Sequence, residues 1–188
     1  LVFTFLIDDL LTFRHSAIPI IVWINQFIQG LTMEFGNLIL KMTQSIVQKD
    51  GAGASECFAK DGVYHDVFYG SFSKPNIPKM VEDYFHRDAS DFIWDIFDPV
   101  STGNIGYARY VFSYDSKLSD CEGKRAVFEG IARCELRDGL LLSYHEVADA
   151  FTGLSQLGFS GARLKKIAEK QSSSLLARDE SLKHLKGT

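Results

Sequence analysis

RAVFEGIARCELRDGLLLSYHEVAD, residues 125–149, is the stretch on which the fold turns. It reads as two strands of alternating character joined by Arg137-Asp138-Gly139, where Gly139 can take the positive φ that a three-residue loop with a Gly bulge requires. Pairing Leu136 with Leu140 sets Cys134 opposite Leu142, Ala132 opposite Tyr144, Gly130 opposite Glu146 and Phe128 opposite Ala148. Side chains alternate with period two, so all of these share one face. A two-residue loop at Asp138-Gly139 would slide the register by one and pair Arg133 with Tyr144; the bulged loop sorts the faces cleanly and is the expectation. Glu129, Arg133, Glu135, Ser143, His145 and Asp149 then lie on the opposite, wet or interfacial face. The alternation that exposes His145 turns Glu146 onto an apolar surface. Two readings of Glu146 follow: an ionisable group at the wall of a pocket, or a core Glu satisfied by a buried water or an Arg.

Upstream, helical and extended patterns are segregated. LILKMTQSIVQK (38–49) carries a helical apolar stripe at 39, 42, 46 and 47, closed by Asp50-Gly51. A short helix is expected over 53–59. VYHDVFY (63–69) alternates as a strand with Tyr64, Asp66 and Phe68 on one face and His65 on the other. IPKMVEDYFHRD (77–88) reads as a third helix, capped by Asn76 and carrying Pro78 in its first turn. FIWDIFDPV (92–100) and IGYARYVFSYD (105–115) are strands joined by Ser101-Thr102-Gly103-Asn104. Helices preceding most of the strands imply α+β with a largely antiparallel sheet. After Phe151, GARLKKIAEK (161–170) is a short basic helix, and 171–188 is expected to fray.

The 188 residues fit one domain with excess at its ends, and the net charge of −4 argues against a nucleic-acid surface. Residues 1–32 read either as an amphipathic extension or as sequence preceding a start at Met33. Asp8, Asp9, Arg14 and Pro19 break their apolar runs, so no membrane span is expected. Three irregularly spaced cysteines, Cys57, Cys121 and Cys134, indicate neither a disulfide framework nor a zinc site. A reducing, cytoplasmic location follows as the default. His65 and His145 share the outer face, but no third ligand has recognisable spacing, so no metal is expected.

The order helix, short helix, strand, helix and then long antiparallel strands, with FAKDGVYHD (58–66) entering the first strand and RDGLLLSYHEVAD (137–149) closing the sheet, resembles the NTF2-like superfamily. It is most similar to the SnoaL-like branch, over roughly residues 38–151. The resemblance implies an α+β cone: a curved, mostly antiparallel sheet wrapped around helices, with an internal apolar pocket. With the composition at either end, the expected organisation is an extension at 1–32, the domain at 33–159, and a basic helix and tail at 160–188. That superfamily includes ketosteroid isomerases, polyketide cyclases, limonene-type epoxide hydrolases, dehydratases and noncatalytic members, so the fold carries little function.

Carried over residue by residue, Tyr64 and Asp66 resemble the Tyr and Asn that hold water in the epoxide hydrolases, and Glu146 stands where those enzymes place an Asp. Their Arg and second Asp on a middle strand have only Arg109 and Val111 here, which puts epoxide opening in doubt. The cyclases use an acidic residue near the Glu146 position. The expected site is therefore Glu146, Asp66 and Tyr64 as catalytic groups, with Tyr144, Leu142, Phe128, Ala132, Phe68 and Trp94 lining the pocket. No cofactor is expected; the expected partners are a hydrophobic small molecule and a second copy packed through the sheet. Asp66 also reads as a turn-proximal surface carboxylate, and His86-Arg87-Asp88 as a helix end whose cations complement the dipole. Arg109 reads as a cross-strand partner of Asp95.

Overall fold

The amphipathic stripe predicted at 39, 42 and 46 is the inner edge of a helix, α1, that begins earlier than its sequence signal. A computed structural model describes residues 18–185, and the side chains of 22 and 34–185. In it α1 spans Ile18–Val47 and buries Phe35, Ile39, Met42 and Ile46. The helix thus crosses the expected boundary at residue 33; the expectations for 1–17 lie outside the described residues. Lys49, at φ 62°, ends α1 in the left-handed region, and Asp50 caps the following helix instead of terminating the first. That helix, α2 (Gly51–Glu56), starts when the Asp50 carboxylate accepts from Gly53 N at 2.8 Å.

β1 (Phe58–Asp66) and β2 (Gly70–Ser73) form a hairpin, so the strand expected over 63–69 starts earlier, at Phe58, and ends at Asp66, with 67–69 as the turn. A helical run, α3, fills 74–88 as a 3₁₀ turn (Lys74–Asn76), an α turn (Ile77–Met80), a π turn (Val81–Phe85) and a last turn (His86–Asp88). It starts before Asn76, whose side chain does not cap it. β3 (Ala89–Thr102), β4 (Ile105–Ser116), β5 (Arg125–Arg137) and β6 (Leu140–Ala148) follow. The sheet order is β2-β1-β6-β5-β4-β3, antiparallel except where β1 lies beside β6. Register shifts in β3 beside Asp91 and Asp98, both at φ 51°, bend this long strand around α1.

The deciding hairpin closes differently from the sequence expectation. Asp138 and Gly139, at φ 53° and 75°, form a two-residue turn that pairs Arg137 with Leu140. A bulge at Leu142 then restores the parity that such a turn would have inverted: Leu136 pairs with Leu141, but Glu135 pairs with Ser143. From Ser143 onward the faces are therefore sorted as expected while the partners move by two residues; before the bulge Leu141 turns inward in place of Leu140 and Leu142, and the partner of Leu136 moves by one. Cys134 lies opposite Tyr144, Ala132 opposite Glu146 and Gly130 opposite Ala148.

On the concave side, α1 and α3 pack against Phe58, Tyr64, Ala108, Ala132, Cys134 and Tyr144. A second cluster, Cys121, Ala126, Ala150, Leu154 and Leu157, closes the other end of the sheet. It is built by α4 (Ala150–Gln156), capped by Asp149, and α5 (Gly161–Leu176), capped by Ser160. The tail expected to fray beyond residue 170 instead continues α5 to Leu176 and adds α6 (Asp179–Leu182). Contacts outside the helix hold it: Lys170 Nζ donates to Phe68 O at 2.7 Å, and Arg178 Nη2 meets His145 Nε2 at 3.0 Å.

Candidate active site

Parallel pairing puts equal offsets side by side. β1 and β6 match Tyr64 with Tyr144 and His65 with His145, and one residue further Asp66 and Glu146 are neighbours where the ladder ends. Asp66 shapes the turn that follows: its Oδ1 accepts from Phe68 N and Tyr69 N, both at 2.7 Å. It is therefore the turn-former that its position suggested, but a partly buried one. Glu146 Oε2 accepts from the Tyr110 hydroxyl at 2.8 Å and from the Tyr144 hydroxyl at 3.1 Å.

Burial and the adjacent Asp66 carboxylate push Glu146 up to about 8, against the opposing pull of Tyr110, Tyr144 and the Val67 N–H. Burial raises Asp66 to about 6, opposed by the two turn amides and by Lys170. Two like charges side by side titrate as a pair, so between those values they hold one proton. Arg109 does not neutralise them. It stands on the convex face, its guanidinium 4.3 Å from the Phe97 ring centre and paired with Glu129 at 3.6 Å and Asp98 at 3.9 Å. The expected partner, Asp95, lies opposite Val111; Asp98, in the bulge of β3, takes its place.

Glu146 and Asp66 border a slot walled mainly by aromatic rings: Phe68, Tyr69, Phe92, Trp94, Tyr110, Phe112 and Phe128. The slot has a volume of about 80 Å³ and opens to solvent. Tyr64 is fully buried against the slot and stacks on Tyr144, with ring centres 4.6 Å apart. Its hydroxyl makes no well-formed hydrogen bond among the described residues, so Tyr64 does not hold Glu146. Tyr144 holds Glu146 from behind the slot without bordering it. Leu142 and Ala132, expected to line the pocket, do not: Leu142 is the bulge residue, and Ala132 is buried between Ala108 and Glu146 in the sheet.

Tyr110 was missed by sequence reasoning, although Gly130 signalled it. Gly130 lies opposite Tyr110, and a Cβ there would fall 2.5 Å from the Tyr110 hydroxyl oxygen. This phenol fills the space that the missing side chain of Gly130 leaves. Asp88, read as part of a helix end, also borders the slot. It accepts from the Tyr69 hydroxyl at 2.8 Å and from both Arg87 nitrogens at 2.6 and 2.7 Å, which hold it below the usual carboxylate range. His65 and His145 face away, with ring centres 5.2 Å apart. Among the described residues no group of three or more His, Cys, Asp or Glu is placed to hold a metal. No helix among them is long and apolar enough to cross a membrane.

No family model matches the chain, and no curated protein matches its sequence. Solved structures do match. A ketosteroid isomerase-like protein from Catenulispora acidiphila, in complex with trimethylamine, superposes with a TM-score of 0.59 at 14% identity, covering 65% of this chain and 93% of that one. An NTF2-like protein from Burkholderia thailandensis gives a TM-score of 0.54 at 12% identity, covering 66% and 96%. The chain has the NTF2-like fold. An epoxide hydrolase of the LEH-like type from M. tuberculosis shares this NTF2-like fold with a TM-score of 0.55 at 13% identity, covering 67% and 90%. A proposed polyketide cyclase from Streptomyces antibioticus shares it with a TM-score of 0.52 at 18% identity, covering 66% and 98%.

Proposed function

We propose that the chain is a cofactor-independent acid/base enzyme that isomerises, cyclises or dehydrates a hydrophobic carbonyl compound, with Glu146 as proton carrier. One observation carries this reading. Glu146, raised by burial and by Asp66, is held by two phenols at the wall of an aromatic slot that no Lys, Arg or His among the described residues borders. Ionised Glu146 takes a proton from a carbon activated by the carbonyl; the C–H electron pair becomes a C=C bond as charge moves to oxygen. The acid form then returns the proton at another carbon or at the oxygen. A carboxyl titrating near the working pH suits both halves of that exchange. Asp66 acts through Glu146 as a positioning residue. The fold's polyketide cyclase and epoxide hydrolase neighbours support a small-molecule class, while Arg109, the expected counterpart of the epoxide hydrolases' Arg, stands on the convex face away from the slot, which disfavours epoxide opening.

The slot's narrowness favours a second reading, a noncatalytic ligand-binding or dimerisation module, because about 80 Å³ falls short of the roughly 300 Å³ of an ordinary ligand pocket. Hydrogen–deuterium exchange separates the two. A panel of conjugated cyclic ketones is incubated with protein in D₂O and followed by mass spectrometry. The enzyme reading expects exchange above buffer that falls roughly 10²- to 10⁴-fold in Glu146→Gln. No exchange with any ketone, or exchange undiminished in the variant, defeats it.

We further propose a homodimer through the convex sheet face, where Ile93, Val127, Ile131 and Val147 are exposed on neighbouring strands. Sedimentation should give a dimer for the native chain and a monomer for Val147→Lys.

A further inference from the structure

The convex side of the β1–β6 pair carries a second cavity, which the acid/base scheme does not use. A cleft of about 410 Å³ opens where α5 and the residues after it pass the ends of β1 and β6. That volume is ample for a small molecule. Lys170 and Ser174 of α5, Arg178 beyond it, His65 and Ser71 of the β1–β2 hairpin, and His145 of β6 supply its polar lining. The sequence offers the two histidines no third metal ligand; the fold brings them two cations instead.

Those cations are poorly compensated. Lys170 Nζ rests on a carbonyl rather than a carboxylate, donating to Phe68 O at 2.7 Å. Arg178 has Glu180, but at 3.7 Å, and the Glu180 side chain is 76% exposed. Its Nη2 instead meets His145 Nε2 at 3.0 Å. A guanidinium can only donate, so Nε2 accepts and the ring hydrogen of His145 sits on Nδ1. A charged donor is thus spent on a neutral ring. The surrounding groups register the excess positive charge: after burial, Arg178 is the first charge that lowers both histidines, and Lys170 lowers Asp66. Asp66 and Glu146 border the cleft as well, but their carboxyls are engaged by the turn amides and by Tyr110 and Tyr144.

The rest of the lining narrows the class of anion. Leu175 and Val147, the latter shared with the rim of the proposed dimer face, border the cleft 49% and 73% exposed, so a ligand that covers them removes apolar surface from water. The planar fork of Arg178 matches the two oxygens of a carboxylate. We propose that the convex cleft is a binding site, separate from the slot, for a small organic carboxylate whose head group Arg178 and Lys170 receive and whose apolar body lies on Leu175 and Val147. Binding draws the guanidinium from His145 to the carboxylate and sets a negative charge beside both imidazoles.

The test uses 2-naphthoate and 2-naphthamide, which share a ring frame and differ in charge, with inorganic phosphate as a third probe. Each is titrated into the full chain at neutral pH by ligand-observed NMR, and the two imidazoles are followed in a pH titration of the protein. The native chain should bind naphthoate about tenfold or more tighter than the amide, and added salt should narrow the gap. Naphthoate should raise the titration midpoints of His65 and His145, since an anion favours their charged form, while the amide leaves them in place. The other charges that reach the rings, Arg133, Glu135 and Glu180, are the same with either probe. Arg178→Ala should weaken naphthoate about tenfold and leave the amide unchanged; Lys170→Ala should act in the same direction. The inference is overturned if acid and amide bind alike or neither binds, if naphthoate leaves both histidines unmoved, or if phosphate binds as tightly as naphthoate, which would leave Leu175 and Val147 without a part. Naphthoate binding that tightens in Glu146→Gln and ignores Arg178→Ala would place the acid in the slot and overturn it equally. Should removal of Arg178 or Lys170 loosen α5, the histidine shift in the native chain decides.

Discussion

The two faces of the β1–β6 pair carry the same device with opposite chemistry. Inside, Asp66 and Glu146 are neighbours; outside, His65 and His145 are. Each pair is pushed toward its neutral form by burial first, which raises the acids and lowers the bases. The second cause differs. Inside it is like charge within the pair, with Asp66 raising Glu146. Outside it is Arg178, a single cation delivered by the end of the C-terminal helices. One face therefore generates its perturbation from its own strands, whereas the other imports it, and the two respond differently to substitution.

The largest effect is expected where the perturbation is intrinsic. Glu146 has a folded value of about 8 against an unfolded value near 4.5, so the native state holds a proton that the unfolded chain releases across that window. The stabilising contribution is complete below the unfolded value and is lost as pH rises through about 8. Urea melts at pH 5 and pH 8.5 should therefore show the native chain losing on the order of 2 kcal/mol that Glu146→Gln retains. Equal losses in both proteins would mean that Glu146 is solvated, and the contrast between faces would vanish.

A smaller effect tests how the inner pair is supported. A Cβ at residue 130 would lie 2.5 Å from the Tyr110 hydroxyl oxygen and 2.7 Å from the backbone oxygen of Val147. The phenol can turn aside, but the backbone cannot, so Gly130→Ala should cost about 1–3 kcal/mol. It should also raise Glu146 further, since Tyr110 is one of the donors that hold the carboxyl down. Thermal melts report the first consequence, and the pH midpoint of ketone exchange reports the second. A variant as stable as the native chain with an unmoved midpoint would show that Tyr110 does not need the space.

These particulars also explain what could be read from the chain. Alternation in 125–149 is enough to send Glu146 inward and His145 outward, because a turn error of one residue would have put a carboxyl and an Arg on the wrong faces. It is not enough to fix partners: the turn at Asp138-Gly139 and the bulge at Leu142 compensate each other from Ser143 onward, so those faces survive while Ala132 takes the place expected of Gly130 opposite Glu146 and Gly130 moves to Ala148. Asp66 beside Glu146 depends on parallel pairing of strands far apart in sequence, which no local pattern encodes. Tyr110 needed the same long-range register, although Gly130 marked its place. The tail was misread for a related reason: 171–185 has no strong apolar stripe of its own, and its order comes from Lys170 and Arg178 reaching groups on β1 and β6.

The smallest effect is expected where the perturbation is imported. Arg178 is about one-third exposed and pairs with Glu180 at 3.7 Å, a geometry that contributes little to stability. Arg178→Ala should therefore change unfolding free energy by no more than about 0.5 kcal/mol. Yet Arg178 is the leading electrostatic cause that lowers both histidines, so removing it should let His65 and His145 climb back toward the ordinary histidine value, and only part of the way because burial remains. NMR titration of the two imidazole rings measures this directly. The inner pair supplies the control. Its shifts arise from burial and from the neighbouring carboxylate, so the ketone-exchange midpoint should stay where it was. If the midpoint moved with the histidines, charge on the convex face would be reaching Glu146 through the strands, and the two faces would form one titrating system.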